Sequence, residues 1–116
     1  MSEDNPVVKE TLEIVGKKDG DAACEVCQDV DEESIHRIKH SGRSIDYEFK
    51  DIDTEGAKKL LNEEKIKGNK VPIPVVRKCN IHKDGKKDCT TIVGEPTKKD
   101  WVDMELDSLD SEIDSL

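Results

Sequence analysis

Apolar and polar positions alternate most cleanly where Ile45, Tyr47 and Phe49 interleave with Asp46, Glu48 and Lys50. That period of two predicts a strand with one buried face. An earlier β-branched run, Thr11-Leu12-Glu13-Ile14-Val15, is closed by Gly16 and predicts a first strand, with turn chemistry following in Lys17-Lys18-Asp19-Gly20-Asp21. Between the two strands the period changes. Cys27, Val30, Ile35 and Ile38 recur at helical spacing, and Ser41-Gly42 ends a helix running from Cys27 to about His40.

The second half repeats these signals in a different order. Thr54 is a cap for a helix reaching about Lys67, with Ala57, Leu60, Leu61 and Ile66 as its apolar stripe and Gly68-Asn69 as its stop. Val71-Pro72-Ile73-Pro74-Val75-Val76 opens a third strand, where proline is tolerated at the start and not in the middle. Asp84-Gly85, set between Val75–Ile81 and Cys89–Val93, predicts a hairpin. Thr97 with Asp100 makes a capping box, and Val102, Leu106, Leu109, Ile113 and Leu116 step by four and three along a last helix whose acidic end is expected to fray.

The expected order is therefore β-α-β-α-β-β-α: an α/β domain on a mixed four-stranded sheet, parallel at the helical crossovers and antiparallel in the final hairpin. One domain fills a chain of 116 residues. Its expected limits are an N-terminal extension over 1–10, the folded unit over 11–103, and an acidic helix end or tail over 104–116.

Composition narrows the functional classes. Charged residues make up 41% of the chain against 33% hydrophobic ones, so the core must be thin. A net charge of −9 argues against nucleic acid, whose binders cluster Lys and Arg against phosphates. The acidity is uneven, since Asp100–Leu116 contains no Lys or Arg whereas Lys58–Lys87 is basic. No apolar run approaches the roughly 18 residues of a membrane span. Met1–Pro6 carries acids where a signal peptide would have a basic region, and a cytoplasmic location is the expectation. In that compartment cysteines read as catalytic or metal-binding before they read as structural disulfides.

The four cysteines are the candidate chemistry. Cys24-Glu25-Val26-Cys27 falls between the first strand and the first helix, which puts Cys24 at a helix N-terminus. A thiol attacks a disulfide as thiolate, and the positive end of a helix favours that form. A second cysteine three residues on lies within reach of the first, so Cys24 is assigned as nucleophile and Cys27 as resolver. Zinc sites use the same C-x-x-C spacing but close with a second tight pair. Cys79 and Cys89 are too far apart in sequence for that.

These features resemble the thioredoxin and glutaredoxin superfamily from about Thr11 to Trp101. The resemblance rests on the C-x-x-C between strand and helix, the β-α-β order, an Ile-Pro or Val-Pro step opening the third strand, and Gly94 after the fourth. It implies a thioredoxin-like fold and a thiol–disulfide oxidoreductase acting on a protein disulfide, recycled by an upstream reductant and needing no cofactor. It also implies a cis proline facing the dithiol, with the preceding residue's backbone pairing with substrate. Those roles are carried to Ile73 and Pro74, with Val71-Pro72 as the alternative step. The chain departs from the family in placing Glu25-Val26 between the cysteines, a carboxylate that works against the helix dipole and predicts a slower nucleophile. Asp21-Ala22-Ala23 and Gly94-Glu95 replace the Lys and Gly-Gly of glutathione-binding members, so glutathione is the weaker substrate. A monomer is expected, with neither nucleic acid nor membrane as partner.

Register decides the second thiol pair. A three-residue loop, Lys83-Asp84-Gly85, sets Cys79 directly opposite Cys89, whereas the commoner two-residue Asp84-Gly85 loop turns the thiols to opposite faces and is the expected one. Pairing would allow a second redox centre or a regulatory disulfide. His36, His40 and His82 read as solvated before they read as metal ligands, and no metal is assigned. Trp101 is expected in the core. The competing class is non-enzymatic: a thioredoxin fold used for binding, or a small zinc domain built on all four cysteines.

Overall fold

The computed structural model describes residues 5–18, 24–66 and 73–107. Its elements are β1 (Val7–Gly16), α1 (Glu25–Ser41), β2 (Ile45–Asp51), α2 (Glu55–Glu63), β3 (Val75–His82), β4 (Lys87–Val93) and α3 (Lys98–Asp103). They form one mixed sheet in the order β2-β1-β3-β4. β1 runs parallel to β2 and antiparallel to β3, and β4 is antiparallel to β3.

Strand alternation divides the core into two layers. Leu12, Ile14 and Val76 face one side, where Val30 of α1 and Trp101 of α3 join them with Met104 and Leu106. Tyr47, Phe49 and Ile92 pack at the edge of this layer. Val15 and Val75 face the other side, against Ala57, Leu60 and Leu61 of α2. Two helices therefore cover one face, and α2 covers part of the other.

Charge is also buried, in pairs. The Arg77 guanidinium on the α2 side donates to Glu13 at 2.8 Å and to Glu63 and Glu64 at 3.2 Å, and Glu64 accepts from the Thr91 hydroxyl. Lys78, on the opposite face, donates to Glu10 at 2.9 Å and to Asn80 at 2.6 Å. A chain this polar builds its sheet interior partly from ion pairs whose partners lie on neighbouring strands.

Several boundaries differ from expectation. β1 starts at Val7, so the sheet takes in residues assigned to an extension; they pair with the far end of β3, through a bulge between Val7 and Lys9. Ile35 is exposed, and the inner face of α1 is instead Cys27, Val30 and Ser34. The Ser34 hydroxyl is satisfied by donating to Val30 O at 2.6 Å, which lets a polar residue occupy a fully buried position.

Two helices stop early for one shared reason. After α2, Lys65 adopts φ 60°, with Lys65 N–H bonded to Asn62 O and Ile66 N–H to Leu61 O. After α3, Glu105 adopts φ 62°, with Glu105 N–H bonded to Val102 O and Leu106 N–H to Trp101 O. Both are Schellman endings with a non-glycine residue in the left-handed position and an apolar residue folding back behind it. The buried Met104 and Leu106 thus belong to the core and not to a tail. The expected stop at Gly68-Asn69 and the stripe positions Leu109, Ile113 and Leu116 lie outside the described residues.

Candidate dithiol site

The site forms where β1 ends and α1 begins. Gly16 closes the strand, and the carbonyl of Lys17 accepts from the Cys24 N–H at 2.8 Å, drawing the cysteine back to the strand end. Cys24 is the N-cap of α1, with extended backbone at φ −102° and ψ 115°. Its sulfur takes the place of the usual capping oxygen and accepts from the Cys27 N–H at 3.1 Å. The Gln28 side chain donates to Lys18 O at 2.9 Å and ties the first turn to the same loop.

The two cysteines differ in environment. Cys24 is half-buried and Cys27 is fully buried, while Glu25 and Val26 between them are exposed. Burial, reinforced by the hydrogen bond to the Cys24 side chain, pushes the Cys27 thiol up from the ordinary 9.0 to about 11. At neutral pH Cys27 therefore holds its proton, as a resolving thiol waiting behind an accessible one would.

The strand supporting Cys27 has no side chain at the contact. A Cβ on Gly16 would lie 2.8 Å from Cys27 Sγ and 3.0 Å from Phe49 Cζ. Val15 pairs with Val75, so the register carried one residue further sets Gly16 level with Pro74. The Ile73–Pro74 peptide is cis. Pro74 is fully buried, its carbonyl accepts from the Gly94 N–H at 2.7 Å, and Ile73 beside it is half-buried. Cys24, Cys27, Ile73, Pro74 and Gly94 are thus gathered at one end of the sheet, whereas Pro72 lies outside the described residues.

A polar group beside the dithiol escaped the sequence reading. Asp31, one helical turn after Cys27, accepts from the Tyr47 hydroxyl and from Lys18 Nζ at 3.2 Å. Lys18 Nζ also stands 4.4 Å from the centre of the Phe49 ring. Burial and the Asp31 carboxylate raise Tyr47 above the ordinary tyrosine value, so it remains a hydrogen-bond donor. The signal available in the sequence is the spacing of four between Cys27 and Asp31, which places both on one helix face.

Cys79 and Cys89 depart from the expected arrangement. The His82 N–H donates to Lys86 O, the loop has three residues, and Gly85 takes φ 91°. This bulged turn puts Cys79 opposite Cys89, and the two are joined in a disulfide with Cα atoms 4.1 Å apart. They occupy the α2 side of the sheet, whereas Cys27 packs on the α1 side. A single zinc site built on all four cysteines is not what the chain forms. Among the described residues no group of three or more His, Cys, Asp or Glu side chains is placed to hold a metal ion.

No protein-family model, curated protein or solved structure matches this chain. Among the described residues no helix is long and apolar enough to cross a membrane. His36 and His40 are exposed, with ring centres 4.2 Å apart. Chemically, the end of the sheet at Cys24 offers one accessible sulfur, one protonated sulfur behind it, and a backbone edge at Ile73-Pro74.

Proposed function

We propose that the chain is a thiol–disulfide oxidoreductase of thioredoxin-like architecture, acting on a protein disulfide through Cys24 and Cys27. The observation that carries this reading is the capped and graded dithiol: Cys24 accepts the Cys27 N–H at a helix N-terminus, while Cys27 is buried behind it with its thiol pushed up to about 11. The strand order, and the position of Ile73-Pro74 level with Gly16, support the same reading.

In the forward reaction Cys24 thiolate attacks one sulfur of the substrate disulfide, forming a mixed disulfide and releasing the other substrate sulfur as a thiolate that takes a proton. Cys27 then gives up its proton and attacks Cys24 Sγ, closing the Cys24–Cys27 disulfide and releasing the second substrate thiol. The substrate gains two electrons and two protons, which an upstream dithiol reductant restores to the enzyme. Ile73 offers its backbone to an extended substrate segment beside the nucleophile. Asp21-Ala22-Ala23 and Gly94-Glu95 stand where glutathione-binding members carry a Lys and a Gly-Gly pair, so a protein disulfide is preferred to glutathione. The enzyme acts as a cytoplasmic monomer and needs no cofactor.

The test is reduction of insulin by the full chain with a recycling dithiol. Cys24→Ser should abolish turnover, and Cys27→Ser should accumulate a mixed disulfide at Cys24. Turnover that survives Cys24→Ser would overturn the assignment, and a wild-type chain without turnover would favour a binding module that uses the same fold without chemistry.

A further inference from the structure

We propose that the Cys79–Cys89 disulfide is a second redox centre, which accepts electrons from a dithiol through attack at Cys89. The two sulfurs are unequal. Cys79 lies on β3, inside the sheet, and is fully buried, whereas Cys89 lies on β4, the edge strand, and is exposed. Nothing among the described strands lies beyond β4, so a nucleophile reaches Cys89 from the open side and Cys79 becomes the leaving sulfur.

The surroundings favour an anionic attacker. Lys87 precedes Cys89 by two residues on the same face of β4 and is exposed. On the buried side Arg77 precedes Cys79 by two residues on β3 and is held by Glu13, Glu63 and Glu64. A thiolate approaching Cys89 therefore meets a lysine first, with the carboxylates already engaged behind it.

The hairpin does not depend on the covalent link. β3 and β4 pair continuously from Val75–Val93 to Ile81–Lys87, and the turn is closed by its own backbone bonds. The disulfide bridges residues only 10 apart, in a segment the ladder already orders, so opening it releases little chain. Reduction can thus occur within the folded protein. It also occurs without help from Cys24 and Cys27 of the same molecule, which belong to the opposite side of the sheet.

The step balances with a dithiol as the named reductant. One of its thiolates attacks Cys89 Sγ, the S–S bond breaks, and Cys79 leaves as a thiolate that takes a proton from water. The reagent's second thiol, deprotonated, attacks its own sulfur in the mixed disulfide and releases Cys89. The reagent ends as a disulfide, two electrons poorer, and the protein gains two thiols.

The experiment uses the air-oxidised full chain carrying Cys24→Ser and Cys27→Ser, equilibrated with dithiothreitol buffers, with free thiols mass-tagged and circular dichroism recorded in parallel. The expected result is a single two-electron transition at Cys79 and Cys89 with the spectrum unchanged. Peptide mapping of tags on the wild-type chain gives the same readout if the double variant does not fold. In single variants, glutathione disulfide should modify Cys89 in Cys79→Ser at least tenfold faster than Cys79 in Cys89→Ser. Tagging of the pair only when the spectrum collapses, an air-oxidised protein with both thiols free, or equal rates in the two single variants would each overturn the proposal. Because the dithiol is absent from the double variant, the transition measured there is independent of whether Cys24 and Cys27 act as proposed.

Discussion

Gly16 and Cys27 approach each other so closely that a methyl group on residue 16 would stand 2.8 Å from the Cys27 sulfur. The contact is a matter of space and not of backbone conformation, and the displaced atom belongs to a fully buried side chain. Gly16→Ala should therefore shift the first turn of α1, destabilise the fold by about 1–3 kcal/mol, and slow closure of the Cys24–Cys27 disulfide. Urea unfolding and single-turnover oxidation would check the two effects. A variant with wild-type stability and kinetics would show that the sulfur can move aside freely.

The asymmetry of the two thiols predicts selective alkylation. Cys27 titrates near 11, raised by burial and by Cys24, so iodoacetamide at pH 7–8 should label Cys24 and spare Cys27 in the reduced protein. The same shift links to stability. A thiol raised from 9.0 on folding contributes fully below that value, and the contribution is lost as pH climbs through about 11. Mapping of alkylated peptides across pH 7–11 would measure both the order and the window.

Arg77, with only 7% of its side chain exposed, holds Glu13, Glu63 and Glu64. Arg77→Ala should cost about 3–5 kcal/mol, because partly buried carboxylates are left facing one another. The loss should shrink at low pH as those carboxylates take up protons. Stability of the variant at pH 7 and pH 4 would measure it, and an equal loss at both would point to packing rather than charge.

His82 bonds the Asn5 carbonyl through Nδ1 at 2.9 Å and the Asp88 carboxylate through Nε2 at 2.8 Å. The backbone acceptor first, then Asp88, raises it above its ordinary 6.5. The imidazolium is thus favoured by folding: its contribution is complete below pH 6.5 and is lost as pH rises through the higher folded value. Asp88→Asn should move the His82 resonance titration part of the way back, readable by two-dimensional NMR.

What the amino-acid order settled by itself is local. Period-two alternation at Ile45–Phe49, the Thr54 cap and the Thr97–Asp100 capping box all appear where the pattern put them, because each depends on residues a few positions apart. The placement of Cys24 at a helix N-terminus was legible for the same reason. The features left to tertiary structure depend on partners distant in sequence. β1 extends back to Val7 because β3 lies beside it to accept its hydrogen bonds, and Ser34 displaces Ile35 from the core because α1 rotates to bury Val30 against Leu12 and Ile14. Cys79 meets Cys89 because a three-residue turn, and not the commoner two-residue one expected from Asp84-Gly85, sets the register of the hairpin. The left-handed endings at Lys65 and Glu105 carry no glycine to announce them; they exist because Ile66 and Leu106 gain more by folding back onto the core than the strained residue loses.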